Sequence, residues 1–219
     1  MEIKYFNSNF DKITQNKDTD QSITNVIEKL PSLNIVSDKN LLEETIKISN
    51  QFKEKKEKII VFGTGGSNLG ARALNNIISN NKIILEFYDN VDPINFEKNF
   101  QNINFELTGF LVISKSGTTP ETLSQFSCLY QKAIEANKVE DFFSNTLIIS
   151  EFKESPLFKI AKDNNCLLLE HHKDVGGRYS IFTNVGIVPA IISGLNINEL
   201  FSGASVSYTH LRAHETCGH

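Results

Sequence analysis

The chain has 219 residues, 40% hydrophobic and 22% charged, with 5 Pro and 12 Gly, a globular balance that excludes disordered and fibrous classes. Its formal charge of -4 gives no basis for a nucleic-acid partner, and no apolar run approaches the ~20 residues of a membrane span. Cys128, Cys166 and Cys217 show no paired spacing and the amino terminus lacks a signal-peptide layout, which together predict reduced thiols in a cytoplasmic protein.

Residues 1–40 carry little periodicity. A helix over 20–30 and a turn with a short extended piece over 31–38 are expected, forming a mostly helical arm. Its lysines (4, 12, 17, 29, 39) are matched by acidic residues (2, 11, 18, 20, 28, 38), so it is no basic DNA-binding arm. A helical pattern over 41–56 leads to a strand at Lys58–Phe62. Then follow a helix at 68–79 and strands at 83–88 and 109–114. A helix at 120–137, a strand at Thr146–Ser150, a helix at 156–164 and a strand at Leu167–Glu170 complete the pattern. Each strand is a short Ile, Val, Leu or Phe run, as expected when both faces are buried. Alternating strand and helix predicts an α/β domain built on a doubly wound parallel sheet of five strands. Ligands of such sheets bind beyond the carboxyl ends of the strands.

Three segments fall there. The first, Gly63-Thr64-Gly65-Gly66-Ser67-Asn68-Leu69-Gly70, leaves a strand and opens a helix, where close backbone approach and free N–H groups favour an anion. A dinucleotide fingerprint needs Gly where Asn68 stands, although Asp89 could serve a ribose; Ala71-Arg72 after Gly70 excludes a P-loop. A tight turn without a ligand stays open. The second, Ser114-Lys115-Ser116-Gly117-Thr118-Thr119-Pro120-Glu121-Thr122, offers four hydroxyls and a cation to phosphate oxygens. A capping box over 118–121 explains one Thr and the Glu, but not the preceding Ser-Lys-Ser. Two such loops on one sheet edge are more specific than either alone. The third, Asp174-Val175-Gly176-Gly177-Arg178-Tyr179-Ser180, can lay a guanidinium against an oxyanion; on the residues alone, a turn with a surface Arg is the slightly favoured reading.

Taken together, GTGGSNLGA, SKSGTTPET and DVGGRYS, followed by IFTNVGIVPAIISG, resemble the sugar-isomerase domain of the phosphoglucose isomerase family over residues 59–204. Asn184 departs from the small residues usual at that place. The resemblance implies a flavodoxin-like sugar-isomerase fold over 41–204. It also implies interconversion of glucose 6-phosphate and fructose 6-phosphate in glycolysis and gluconeogenesis, through an enediolate, with no metal or other cofactor. Carried over by position, Gly66 and Ser67 approach the sugar phosphate. Ser114, Lys115, Ser116, Thr118 and Thr119 cradle it, and Arg178 stabilises the enediolate. The family's proton-transferring Glu and ring-opening His and Lys follow the GGRYS segment, in sequence this chain does not contain. Glu170 and Glu199 match no family motif. The expectation is an inactive fragment of a cytoplasmic, homodimeric parent that acts on a phosphosugar, with no nucleic-acid or membrane partner.

Two readings of the same resemblance compete. Another phosphosugar isomerase is one, of the glucosamine-6-phosphate synthase or dual glucose/mannose type; Gly-Gly-Arg-Tyr-Ser argues against the synthase. A sugar-phosphate-sensing regulatory module would need a basic helix-turn-helix arm, and a nicotinamide-dependent oxidoreductase stands further off. Residues 205–219 hold His210, His214 and Cys217 at zinc-like spacing without a Glu between the histidines. Their composition differs from what precedes them, and a non-native or disordered tail is expected. His171 and His172 read as loop residues.

Overall fold

The computed structural model describes residues 29–77 and 82–216, with side chains as far as 207. Among the described residues five strands form one parallel sheet: β1 (Lys58–Phe62), β2 (Ile84–Tyr88), β3 (Thr108–Ile113), β4 (Thr146–Ser150) and β5 (Leu167–Glu170), in the order β2-β1-β3-β4-β5. Val61 pairs with Phe87 on one side and Leu111 on the other. The winding therefore reverses between β1 and β3, the switch point at which open α/β sheets bind ligands. The expected fold class is the observed one.

Strand side chains alternate between two buried faces. Ile60, Phe62, Phe110, Val112 and Ile148 point to one. They meet Phe96 of α4 (Pro93–Asn99), Phe126 of α5 (Pro120–Glu135), Phe142 of α6 (Val139–Ser144) and Leu157 of α7 (Pro156–Asp163). Ile59, Val61, Leu111, Ile113, Leu147 and Ile149 point to the other, against Phe52 of α2 (Lys39–Lys53) and Val185, Val188 and Ile192 of α8 (Asn184–Ile192). Each of these side chains contributes roughly 1.5–3 kcal/mol by leaving water. The helix after β1, α3 (Gly66–Asn76), packs with α8 and α9 (Ile197–Thr216) through Leu74, Ile187 and Phe201.

Several boundaries differ from expectation. The 31–38 segment is not extended: Pro31 opens a short helix, α1 (Pro31–Asn34), continued by a 3-10 turn over Ile35–Ser37. Proline's fixed φ suits a first helical position. Helix α2 starts at Lys39 because the Asp38 carboxylate accepts the Leu41 N–H at 3.0 Å. It ends before Lys55, which adopts φ 58°. Ser114 lies past the end of β3, not in it. The expected helix over 20–30 falls, apart from its last two residues, outside the described residues. Helix α9 runs through residue 204, where the non-native or disordered tail is expected to begin, to Thr216. Nothing after Gly203 in that stretch is a strong helix breaker, and Ala, Leu, Arg and Glu favour its continuation. No described helix is long and apolar enough to cross a membrane.

Candidate functional site

The first loop turns at Gly65, whose φ of 53° and ψ of -119° suit only glycine. Helix α3 begins immediately afterwards with no side-chain cap. Helix α5 begins at Pro120, and Thr119 is its N-cap by position, yet the Thr119 hydroxyl caps nothing. It shares a 2.8 Å hydrogen bond with the Ser114 hydroxyl instead. The sequence-level capping box over 118–121 is thus not formed. The starts of α2, α4, α7 and α8 are each satisfied by a side chain, from Asp38, Asp92, Ser155 and Thr183, while α1 and α6 have no side-chain cap either. The two helices that open at the switch point have no capping side chain. In α3 the Ser67 and Asn68 N–H groups donate to the Thr64 and Gly65 carbonyls at 3.1 Å, which leaves the Gly66 N–H, and in α5 the Glu121 and Thr122 N–H groups stay open among the described residues. Those donors and the helix dipole favour an anion.

The second loop is braced internally. Gly117 donates its amide to the Ser114 hydroxyl at 3.1 Å, and Thr118 donates both its amide (3.2 Å) and its hydroxyl (2.9 Å) to the Ser116 hydroxyl. Gly117 has φ 68°, and a Cβ there would overlap Ser155. Lys115 behaves differently from its neighbours. Its ammonium donates to the carbonyls of Lys173 (2.6 Å) and Val175 (3.1 Å) and pairs with Glu151 at 3.6 Å.

The third segment folds as a 3-10 turn over Gly177–Tyr179. A Cβ on Gly66 would overlap the Gly177 carbonyl group and the Arg178 nitrogen, so only glycine lets the start of α3 touch this turn. Ser180 donates its hydroxyl to the Gly177 carbonyl at 2.5 Å, and Thr183 donates to the Ser180 carbonyl at 2.7 Å while capping α8. A cleft of about 150 Å³ remains between α3 and the turn, lined by Gly66, Leu69, Gly70, Gly177, Arg178 and Ile181. Arg178 is exposed, and among the described residues its guanidinium has no ion-pair or hydrogen-bond partner. A wider groove of about 530 Å³ between α4 and α5, lined by Phe96, Gln125 and Cys128 among others, contains none of the three loops.

Among the described residues, five of six buried side-chain polar atoms without a partner lie on this same edge, and the sixth, Gln125 Oε1, belongs to a residue of the groove between α4 and α5. Asn68 Oδ1 and Thr122 Oγ1 lie in the first turns of α3 and α5. Ser150 Oγ ends β4, His171 Nε2 follows β5, and Asn184 Oδ1 opens α8. Unsatisfied buried groups are rare and mark sites of special use. Asn68 Nδ2 donates to the Gly63 carbonyl at 3.1 Å, so the residue that spoils a dinucleotide fingerprint braces the loop. Asp89, which that reading needed, is paired with Arg72 at 2.8 Å. Asn184 Nδ2 donates to the Glu170 carbonyl at 2.6 Å and ties α8 to the end of β5. His171 is fully buried, with Nδ1 3.2 Å from the His172 carbonyl oxygen; burial pushes its pKa below the usual value. Glu151 is held below the usual carboxylate range by its hydrogen bond to Lys153, with Lys115 adding to the effect. Cys128 and Cys166 are free thiols, the latter raised to about 11 by burial. The weighed zinc set, His210, His214 and Cys217, lies outside the described side chains.

Residues 14–216 match the family model for phosphoglucose isomerase. The chain belongs to the phosphoglucose isomerase family. Its relatives include a probable glucose-6-phosphate isomerase of Methanococcus maripaludis, 35% identical over 165 residues, which cover 71% of this chain and 36% of that protein. The glucose-6-phosphate isomerase of Carboxydothermus hydrogenoformans is 35% identical over 74% of this chain and 37% of its own length. That of Campylobacter jejuni is 31% identical over 80% and 43%. The chain therefore spans less than half the length of these relatives. A hypothetical protein of Thermus thermophilus superposes with a TM-score of 0.79 at 24% identity, over 88% of this chain and 47% of that one. A glucose-6-phosphate isomerase of Chlamydia trachomatis superposes at 0.60 and 24%, over 69% and 29%. These two likenesses establish the shared fold. The phosphoglucose isomerase match reaches residue 216, beyond the 59–204 stretch that the motifs alone suggest.

Of the expected site residues, Gly66 and Ser67 stand at the start of α3, and Ser114 with Thr119 and Ser116 with Thr118 form two hydroxyl pairs in one loop. Arg178 is brought against Gly66, while Lys115 turns to the arginine segment. Thr122, Ser150 and His171 bring further buried polar atoms to this edge and are not among the expected site residues. Their only signal is position, at or just past a strand end or helix start on the carboxyl edge.

Proposed function

We propose that this chain carries the phosphate-binding part of an aldose–ketose isomerase that interconverts glucose 6-phosphate and fructose 6-phosphate through an enediolate. The observation that supports this best is the pair of helices without side-chain caps at the switch point, with the arginine turn packed on one of them through Gly66. In this reading, first-turn N–H groups of α3 and α5 and the hydroxyls of Ser67, Ser114, Ser116, Thr118 and Thr119 hold the phosphate. Arg178, with its guanidinium unpaired among the described residues, faces the oxygens of C1 and C2, where negative charge develops. Moving the proton between those carbons needs a base within hydrogen-bond reach. Glu151 is already committed to Lys153 and Lys115. We read residues 41–204 as the phosphosugar domain, 1–40 as an arm, and the parent as a cytoplasmic homodimer. The 219-residue chain alone then binds a phosphosugar weakly and turns over nothing.

Two measurements on the purified chain test this. Phosphate or 6-phosphogluconate should shift the amide signals of 65–68 and 114–119. Ser116→Ala and Thr119→Ala should each weaken binding by roughly 1.5–3 kcal/mol, the worth of a hydrogen bond to a charged group. A coupled assay for conversion of fructose 6-phosphate should read background. Clear turnover would show that the base is present, and signals that move with NADH but not with phosphate would favour an oxidoreductase.

A further inference from the structure

We propose that Lys115 is a positioning residue that sets the arginine turn against the second loop, and is not itself a ligand of the phosphate; this rests on the functional reading above. An ammonium has three N–H donors. In Lys115 two go to the carbonyls of Lys173 and Val175, at 2.6 and 3.1 Å, and the third direction is held by Glu151 at 3.6 Å. The Glu151 contact is an ion pair too long for a hydrogen bond, so at most one donor is left for a phosphate oxygen, and Glu151 competes for it. The residue is also fixed at its other end, since its carbonyl accepts the Glu151 N–H at 3.1 Å. Glu151 itself is neutralised from two sides, by Lys115 and Lys153.

What Lys115 grips matters. Val175 is buried and lies three residues before Arg178, and the Val175 N–H donates to the His172 carbonyl at 3.3 Å. The arginine turn is thus fastened twice. Gly66 of the first loop abuts Gly177 and Arg178 from one side, and Lys115 of the second loop holds residues 173–175 from the other. Both anion-favouring loops therefore fix the backbone from which the Arg178 side chain projects. A phosphate repels carbonyl dipoles less than it repels a carboxylate, so occupation of the second loop leaves the two carbonyl contacts of this clamp in place. Lys115 supplies geometry to Arg178, while the neighbouring hydroxyls and N–H groups supply the binding.

The test uses the 219-residue chain and its amide spectrum. Lys115→Met keeps most of the stem and removes the donors. Amide hydrogen exchange at Val175 and Tyr179 should accelerate by about tenfold or more as the turn opens locally. The dissociation constant for inorganic phosphate, read at 114–119, should change by less than about threefold, because no direct charged hydrogen bond is lost. Exchange at Ile60 and Leu111 should stay as in the parent chain, which separates local loosening from general unfolding. Lys115→Arg, which retains donors to the carbonyls, should restore most of the protection. A second measurement needs no variant: on saturation of the parent chain with phosphate, the Lys115 side-chain 13Cε signal should stay still while the amides of 116–119 move. A loss of phosphate affinity of about tenfold in Lys115→Met with Val175 and Tyr179 unchanged, or a 13Cε signal that tracks the titration, overturns the proposal. If phosphate moves nothing at 114–119, the phosphate reading fails, and the exchange rates at Val175 and Tyr179 still decide whether Lys115 holds the turn.

Discussion

Two adjacent glycines in the first loop have different jobs, and their alanine variants should separate them. Gly65 needs its positive φ but has open space where a Cβ would stand; Gly66 has helical geometry but no room. Gly65→Ala should cost about 1–3 kcal/mol of backbone strain while leaving the arginine turn in place. Gly66→Ala should cost a similar amount through overpacking, roughly 1–3 kcal/mol, and should also displace the turn. Urea unfolding gives the energies, and the amide signals of 177–179 distinguish the two causes; equal disturbance of those signals would refute the distinction. His171 makes a second prediction at this scale. Burial lowers its pKa in the folded state from an unfolded value near 6.5. Below that pH the unfolded chain takes up a proton that the folded chain resists, so stability is present above about pH 6.5 and is lost as pH falls toward the folded pKa. His171→Gln should flatten the fall in unfolding free energy between about pH 7 and 5. An unchanged slope would mean that other groups cause it. Lys115 shows the limit of the sequence at this scale. Its place in a loop motif is legible, but its acceptors lie 58 and 60 positions away, and no local pattern states which way a flexible side chain turns.

At the scale of elements, what was legible followed from contrast. The strands are short apolar runs between polar or glycine-rich stretches, and α2, α5 and α7 each show one apolar face, so their periods stand out. Helix α8 shows no such contrast: every one of its nine residues is buried and it contains Gly186 and Pro189. A helix that is apolar all round has no hydrophobic period to read. Helices α4 and α6 span 7 and 6 residues, too few for a periodicity to develop. In α9 the first turns are anchored in the core. Ile197 and Phe201 are buried, and Phe201 meets Phe182 edge to face with ring centres 5.8 Å apart. Ser205, Val206 and Ser207 are exposed. Phe201→Ala should therefore lower stability by about 3–5 kcal/mol, the usual cost of emptying a buried aromatic site. Removal of residues 205–219 should leave the unfolding free energy within roughly 0.5 kcal/mol. A large drop in thermal midpoint on removing 205–219, or a midpoint raised by zinc, would show that this stretch stabilises the fold.

At the scale of the whole molecule, the sheet places two kinds of group on one edge, and they should fail differently when removed. In the proposed isomerisation the phosphate keeps its charge and geometry, so groups that hold it would act equally on substrate and transition state. Loop substitutions such as Thr119→Ala should accordingly raise KM and leave kcat nearly unchanged. Charge on the oxygens of C1 and C2 appears only as the enediolate forms. A guanidinium aimed there acts preferentially on the transition state, and Arg178 is exposed beside the cleft with no partner to satisfy among the described residues. In a full-length isomerase carrying this segment, Arg178→Ala should cut kcat by about 10²–10³, the range for losing one oxyanion donor, with a smaller change in KM. Arg178→Lys should recover only part of the rate, because an ammonium keeps the charge and loses the planar fork. Lys115→Met should follow Arg178 rather than Thr119, lowering kcat more than it raises KM, since it acts through the position of the turn. The measurement is steady-state kinetics on the variants with fructose 6-phosphate. If Arg178→Ala raises KM at constant kcat, Arg178 belongs with the phosphate-holding loops, and the division of this edge into a binding part and a rate-determining part is wrong.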